Sequence, residues 1–138
     1  MDLLLLLALA ASPRTADSAN LAGQYQAVTE TEYSITLTLE ATGKARFEFM
    51  TWEADGSAPE RQEALYGTWH RSLDQLTLQF SSGRSATYSI VPCLSYREFG
   101  QAGCSPGLSL TNTNLADRYG LRRFGLWNSA PLRRNAKL

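Results

Sequence analysis

From Leu21 onward the apolar residues of this chain recur at every second position, a period that admits little besides β-strands. Ile35, Leu37 and Leu39 alternate with Ser34, Thr36, Thr38 and Glu40. Successive side chains of a strand point to opposite faces, so this pattern describes a sheet with one apolar and one polar side. Ala41-Thr42-Gly43-Lys44 interrupts it as a turn, and Ala45, Phe47 and Phe49 resume the alternation against Arg46 and Glu48. That is the signature of a hairpin. After a break at Ala54–Pro59, Leu65, Gly67 and Trp69 begin a further strand, turned at Leu73-Asp74-Gln75. Leu76, Leu78 and Phe80 follow, then a Ser82-Gly83-Arg84 turn into Ala86, Tyr88 and Ile90. Pro92 is expected to close that strand, since proline cannot donate to a ladder. Leu108 and Leu110 predict one more short strand, and the stretch 119–127 the last.

Helix is confined to two short turns. Ser57-Ala58-Pro59-Glu60 has the form of a capping box before Arg61–Ala64. Asn114 stands where it could cap Leu115–Tyr119, with Gly120 ending the turn. Seven or eight short strands at this spacing predict an all-β fold, an antiparallel up-and-down barrel occupying residues 21–128. The 138 residues, 43% of them hydrophobic, suit one domain with a real core. Phe47, Phe49, Trp69, Phe80 and Tyr88 share the inward parity. An eight-stranded barrel is just wide enough to pack such side chains together or to hold one small apolar ligand among them. They are therefore core aromatics or pocket lining.

The run Leu3–Ala11 is too short to span a bilayer, which needs about 20 apolar residues. It matches the apolar core of a secretory signal, with Ala8-Leu9-Ala10 as the cleavage site, although Met1-Asp2 supplies no basic residue. Residues 1–10 are thus expected to be a signal peptide, 11–20 a linker, and 129–138 a basic tail. Cys93 and Cys104 are the only cysteines. An even count in an exported chain predicts a disulfide, here closing a glycine-containing loop. No cysteine stands near the cleavage site to carry a lipid, and no second apolar stretch reaches membrane length. The bacterial periplasm is the expected compartment.

Catalytic chemistry has few footholds. His70, the one histidine, follows Trp69 on a strand and faces the opposite way. Glu30 and Glu32 share a strand face, an arrangement used for acid/base work but more common at solvated edges. No Gly-x-Ser-x-Gly elbow, phosphate loop, dinucleotide fingerprint or zinc spacing occurs, so no enzyme, cofactor or metal site is expected. Thirteen Lys+Arg balance thirteen Asp+Glu, which removes a nucleic-acid binder from consideration. That balance hides an asymmetry. Residues 28–63 carry eight acids against three bases, and 117–138 carry one acid against six bases. Met50 and Trp52 lie on the polar face beside Glu48, and with His70, Arg122 and Arg123 they form the candidate surface for a ligand or partner.

Gly23-Gln24-Tyr25, Leu37-Thr38-Leu39 with Gly43, Gly67-Thr68-Trp69 and Leu76-Thr77-Leu78 appear in that order. In this order and spacing the chain resembles small lipocalin-like barrels of bacterial envelopes, including the N-terminal domain of NlpE-type copper-resistance lipoproteins. It departs from them in having no lipobox cysteine and no early Cys-x-x-Cys, and from true lipocalins in placing Gly-x-Trp mid-chain. Ser82-Gly83 followed by Tyr88 is similar to the Ser-Gly-x-x-Tyr loop of membrane-bound lysozyme inhibitors, with two extra residues. The resemblance implies an exported, non-enzymatic binding protein that takes a small apolar ligand or an envelope protein through a pocket or an aromatic and charged surface. The alternative is a periplasmic inhibitor or immunity protein that blocks a cell-wall hydrolase or toxin with a loop at 53–62 or 94–103.

Overall fold

In the computed structural model eight antiparallel strands close into a barrel in simple sequence order. The structure describes residues 21–28, 33–51, 61–97, 100–116 and 125–128. The strands are β1 (Gly23–Val28), β2 (Tyr33–Leu39), β3 (Lys44–Thr51), β4 (Arg61–Ser72), β5 (Gln75–Phe80), β6 (Ser85–Ser95), β7 (Cys104–Thr113) and β8 (Leu126–Asn128). The expected signal peptide and linker at 1–20, Glu30, Glu32, Trp52, Arg122, Arg123 and the expected tail at 129–138 lie outside the described residues. Among the described residues no helix is long and apolar enough to cross a membrane.

The period-two residues do what their spacing predicts. Ile35, Leu37 and Leu39 face Phe49, Phe47 and Ala45 across the β2–β3 ladder, and all six are buried. Phe47 meets Phe80 edge to face at 6.2 Å between ring centres, the offset geometry that aromatic quadrupoles favour. Leu76, Leu78, Tyr88, Leu108 and Leu126 complete an axis of side chains almost wholly removed from water. Burial of this kind is worth about 1.5–3 kcal/mol for each large apolar side chain.

Turns form where glycine supplies a left-handed backbone. Gly43 (φ 98°) and Gly83 (φ 82°) end the β2–β3 and β5–β6 turns. The β4–β5 turn instead puts Leu73 at φ 57° with its side chain 88% exposed. That conformation costs a non-glycine residue about 1–2 kcal/mol. The Arg71 Nε donates to the Leu73 carbonyl at 2.9 Å and holds the turn.

Two sequence expectations need correction. Arg61–Ala64 are strand: they pair with Glu48–Thr51 of β3, and the ladder overrides the capping-box signal. Pro92 does not end β6, which runs to Ser95. It stands where the β6–β7 register shifts between Val91 and Leu94, and such an irregularity spares the ladder the N–H that proline lacks. The Asn114 side-chain carbonyl accepts the Ser85 N–H at 2.8 Å, and most of the turn expected at 115–119 lies outside the described residues. The disulfide loop expected at 94–103 begins as strand, with Leu94 opposite Ser105 and Ser95 opposite Cys104.

The barrel closes on a short seam. β8 contributes two register pairs to β1 and two to β7. The Trp127 Nε1 donates to the Leu94 carbonyl at 3.0 Å, and Trp127 stacks on Tyr96 at 5.8 Å. Side chains therefore reinforce a junction that few backbone pairs hold.

Candidate functional site

Inside the barrel, Phe47, Phe49, Trp69, Phe80 and Tyr88 are all buried. Two of them carry polar groups, which meet different fates. The Trp69 Nε1 donates to the Glu40 carbonyl at 2.8 Å, tying β4 to the end of β2. The Tyr88 hydroxyl is buried with no hydrogen-bond partner among the described residues. Burial pushes its pKa above the ordinary 10.0, because the charged phenolate is the form that loses most on leaving water. Tyr25 is raised for the same reason, opposed in part by a hydrogen bond with Asn128 and by the positive charge of Arg71. Its hydroxyl donates to the Leu21 carbonyl at 2.8 Å.

Tyr88→Phe is expected to stabilise the protein by about 1 kcal/mol near neutral pH, since it removes an unsatisfied buried donor without opening a large void. The sign with pH follows. Above pH 10 the unfolded chain releases the Tyr88 proton while the folded chain retains it, so wild-type stability falls as pH rises. Urea melts at pH 7 and pH 10.5 should show the phenylalanine variant losing less between the two. A destabilised variant at pH 7 would instead reveal a partner for the hydroxyl inside the barrel.

The barrel wall offers a different kind of site. Thr38, Arg46 and Tyr66 form one outward-facing row, because Thr38 is opposite Arg46 and Arg46 is opposite Tyr66. Lys44 is opposite Thr68 in the next row, beside Glu40 at the end of β2. Between them lies a partly open groove of about 210 Å³, lined by Thr38, Glu40, Lys44, Ala45, Arg46, Tyr66 and Gly67. Tyr66 is 60% exposed; among the described residues it shares such exposure of a large hydrophobic side chain only with Leu73. The Thr38 hydroxyl is covered and has no partner among the described residues. Arg46 Nε is 3.6 Å from Glu48 Oε2, an exposed pair that contributes little to stability.

The sequence-predicted surface residues do not assemble into this site. Met50 is half-buried on the outer face of β3, opposite Gln62, while His70 is exposed on the outer face of β4, opposite Thr77. Gln62 and His70 are eight residues apart on one strand, about 26 Å at the usual rise. No group of three or more His, Cys, Asp or Glu side chains among the described residues stands close enough to hold a metal ion. Tyr66 itself carried a usable signal, being an aromatic on the polar parity of a strand whose other parity is Leu65, Gly67 and Trp69. Its neighbours Thr38 and Arg46 come from two other strands, and no local pattern joins them.

At the far end of the hairpin, the disulfide joins Cys93 and Cys104 with their Cα atoms 5.0 Å apart. Beside it Tyr96 shares a hydrogen bond with the buried Ser105 hydroxyl. Pro92, Ser95, Arg97 and Pro106 are exposed around this clasped end. Comparison with protein-family models, with curated proteins and with solved structures finds no match for the chain.

Proposed function

We propose that this protein is an exported, non-enzymatic binding barrel of the bacterial envelope that engages a small ligand or an envelope protein through the outer wall of β2, β3 and β4. The observation that carries this reading is Tyr66, an aromatic ring left 60% exposed on a largely polar wall. It stands in a groove with Lys44, Arg46 and Glu40 at hand. Exposed tyrosines beside arginine are the residue types that dominate binding energy at interfaces. The apolar run at the N-terminus and the disulfide support export, and the likeness to small lipocalin-like envelope barrels agrees with both.

A second reading has its own observation. The disulfide-clasped β6–β7 hairpin joins strands of 11 and 10 residues and carries exposed Arg97 and Gln101 near its end, residues that an inhibitor or immunity protein could present to a hydrolase. Capture from envelope extract separates the two. The exported protein, with a mature start near Ala11 by mass spectrometry, should retain a stoichiometric partner or ligand, and Tyr66→Ala should weaken that binding at least tenfold, about 1.4 kcal/mol. Binding that survives Tyr66→Ala but is lost in Arg97→Glu would replace the wall reading with the inhibitor reading.

A further inference from the structure

We infer that the β2–β4 groove is a carbohydrate site, in which Tyr66 stacks on a neutral pyranose ring and the surrounding polar side chains bind its hydroxyls. The inference rests on the wall reading above and names the ligand class it would serve. Three features narrow the chemistry.

The first is charge. Lys44 and Arg46 are matched by Glu40 and Glu48 on the same patch of wall. A phosphate or polyanion site concentrates cations without countercharges. The balance here suits a neutral ligand that both donates and accepts hydrogen bonds, and a sugar hydroxyl does both. The ammonium and guanidinium groups donate, and the carboxylates accept.

Shape is the second. The groove holds about 210 Å³ and is open on one side, below the ~300–1,000 Å³ of pockets that enclose a drug-sized ligand. It has room for one small ring, with a longer chain free to continue along the wall. The only large apolar surface in it is the Tyr66 ring, flat and standing on a three-stranded ladder. A pyranose presents a flat C–H face whose hydrogens, polarised by neighbouring oxygens, are drawn to the negative face of an aromatic ring. A purely apolar ligand would leave Lys44, Arg46 and Glu40 desolvated without partners, which costs free energy.

The third is preorganisation. Thr38, Arg46 and Tyr66 are held in one row by continuous pairing. The Trp69–Glu40 bond fixes the rim, and the Trp69 N–H donates to the Gly43 carbonyl at 2.9 Å. Little backbone ordering remains to oppose a weak ligand.

The test is a ¹H–¹⁵N NMR titration of the folded chain with four neutral tetrasaccharides, of glucose, mannose, galactose and N-acetylglucosamine. Each is taken to about 10 mM, where a site with Kd near 1 mM is mostly filled. At least one should shift the amides of Thr38, Lys44, Arg46, Tyr66 and Thr68 together. Tyr66→Phe should keep those shifts and Tyr66→Ala should abolish them while its spectrum remains dispersed. No shift with any of the four, shifts that persist in Tyr66→Ala, or equal shifts of the same amides with sodium phosphate would each overturn the inference. If the sugars fail while Tyr66→Ala still abolishes capture from envelope extract, the wall remains the binding surface and only the ligand class falls.

Discussion

Gly67→Ala is expected to cost the barrel at least ~3 kcal/mol, more than a methyl group added at either of the turn glycines Gly43 and Gly83. A Cβ at position 67 would stand 1.9 Å from the Gln79 carbonyl oxygen and 2.8 Å from the Phe80 Cα. These are backbone atoms of β5, so no side chain can swing aside to make room. Gly67 sits between Ala45 and Phe80 in the ladder. Relieving the clash requires the two strands to part around the Gly67–Phe80 and Thr68–Gln79 pairs. Overpacking costs about 1–3 kcal/mol before any ladder bond is lost, and each lost bond adds about 0.5–1.5 kcal/mol. Against a typical total of about 5–15 kcal/mol, the variant loses much of its margin. Gly43→Ala and Gly83→Ala are the controls. Each meets nothing within 4 Å, but each holds a left-handed backbone, so the expected cost is about 1–2 kcal/mol. Urea melts on the three variants should rank Gly67→Ala clearly last. Equal losses would mean that the close approach of β4 and β5 does not exist.

The second large effect belongs to the disulfide. Replacing both Cys93 and Cys104 with serine is expected to destabilise the protein by about 3 kcal/mol, the chain-entropy value for a loop of this size. For a domain of this length that is a fall of roughly 10–20 °C in melting temperature. The cross-link matters beyond its own loop because of what stands beside it. Leu94, next to Cys93, lies over Gly107 and Gly125, where an added Cβ would come 2.7 and 2.5 Å from its Cδ2. Its carbonyl receives Trp127, the residue that holds β8 in the barrel. Loosening the hairpin therefore loosens the shortest seam in the fold. Hydrogen exchange should show amides of β7 and β8 losing protection before those of β2 and β3. Adding reductant to the wild type should reproduce the drop, and a melt unmoved by reductant would show that the bond contributes nothing.

How far the candidate site was legible in the sequence differs by residue. Tyr66 could be found from parity alone, as the one aromatic on the polar side of its strand. Arg46 and Thr38 could not be joined to it, because the row they form depends on pairing β2 with β3 and β3 with β4. Met50 and His70 show the converse. Both occupy the polar face, as their spacing requires, yet the barrel holds them near opposite ends of the same wall. Local pattern assigns a face, and only strand pairing assigns a neighbour.

The same division runs through the fold. The alternation of Ile35, Leu37, Leu39, Phe47, Phe49, Leu76 and Leu78 by itself determined strands, their inward faces and an all-β barrel, because pleat and turn are properties of adjacent residues. The pairing of two cysteines followed from their number. Tertiary structure alone decided that Arg61–Ala64 extend β4, that β6 continues past Pro92, and that three residues, Leu126–Asn128, close the ring. It also decided that Gly67 admits no side chain. Each of these is a contact between segments distant in the chain, and its energy is set by ladder bonds and steric exclusion that exist only once the strands have met.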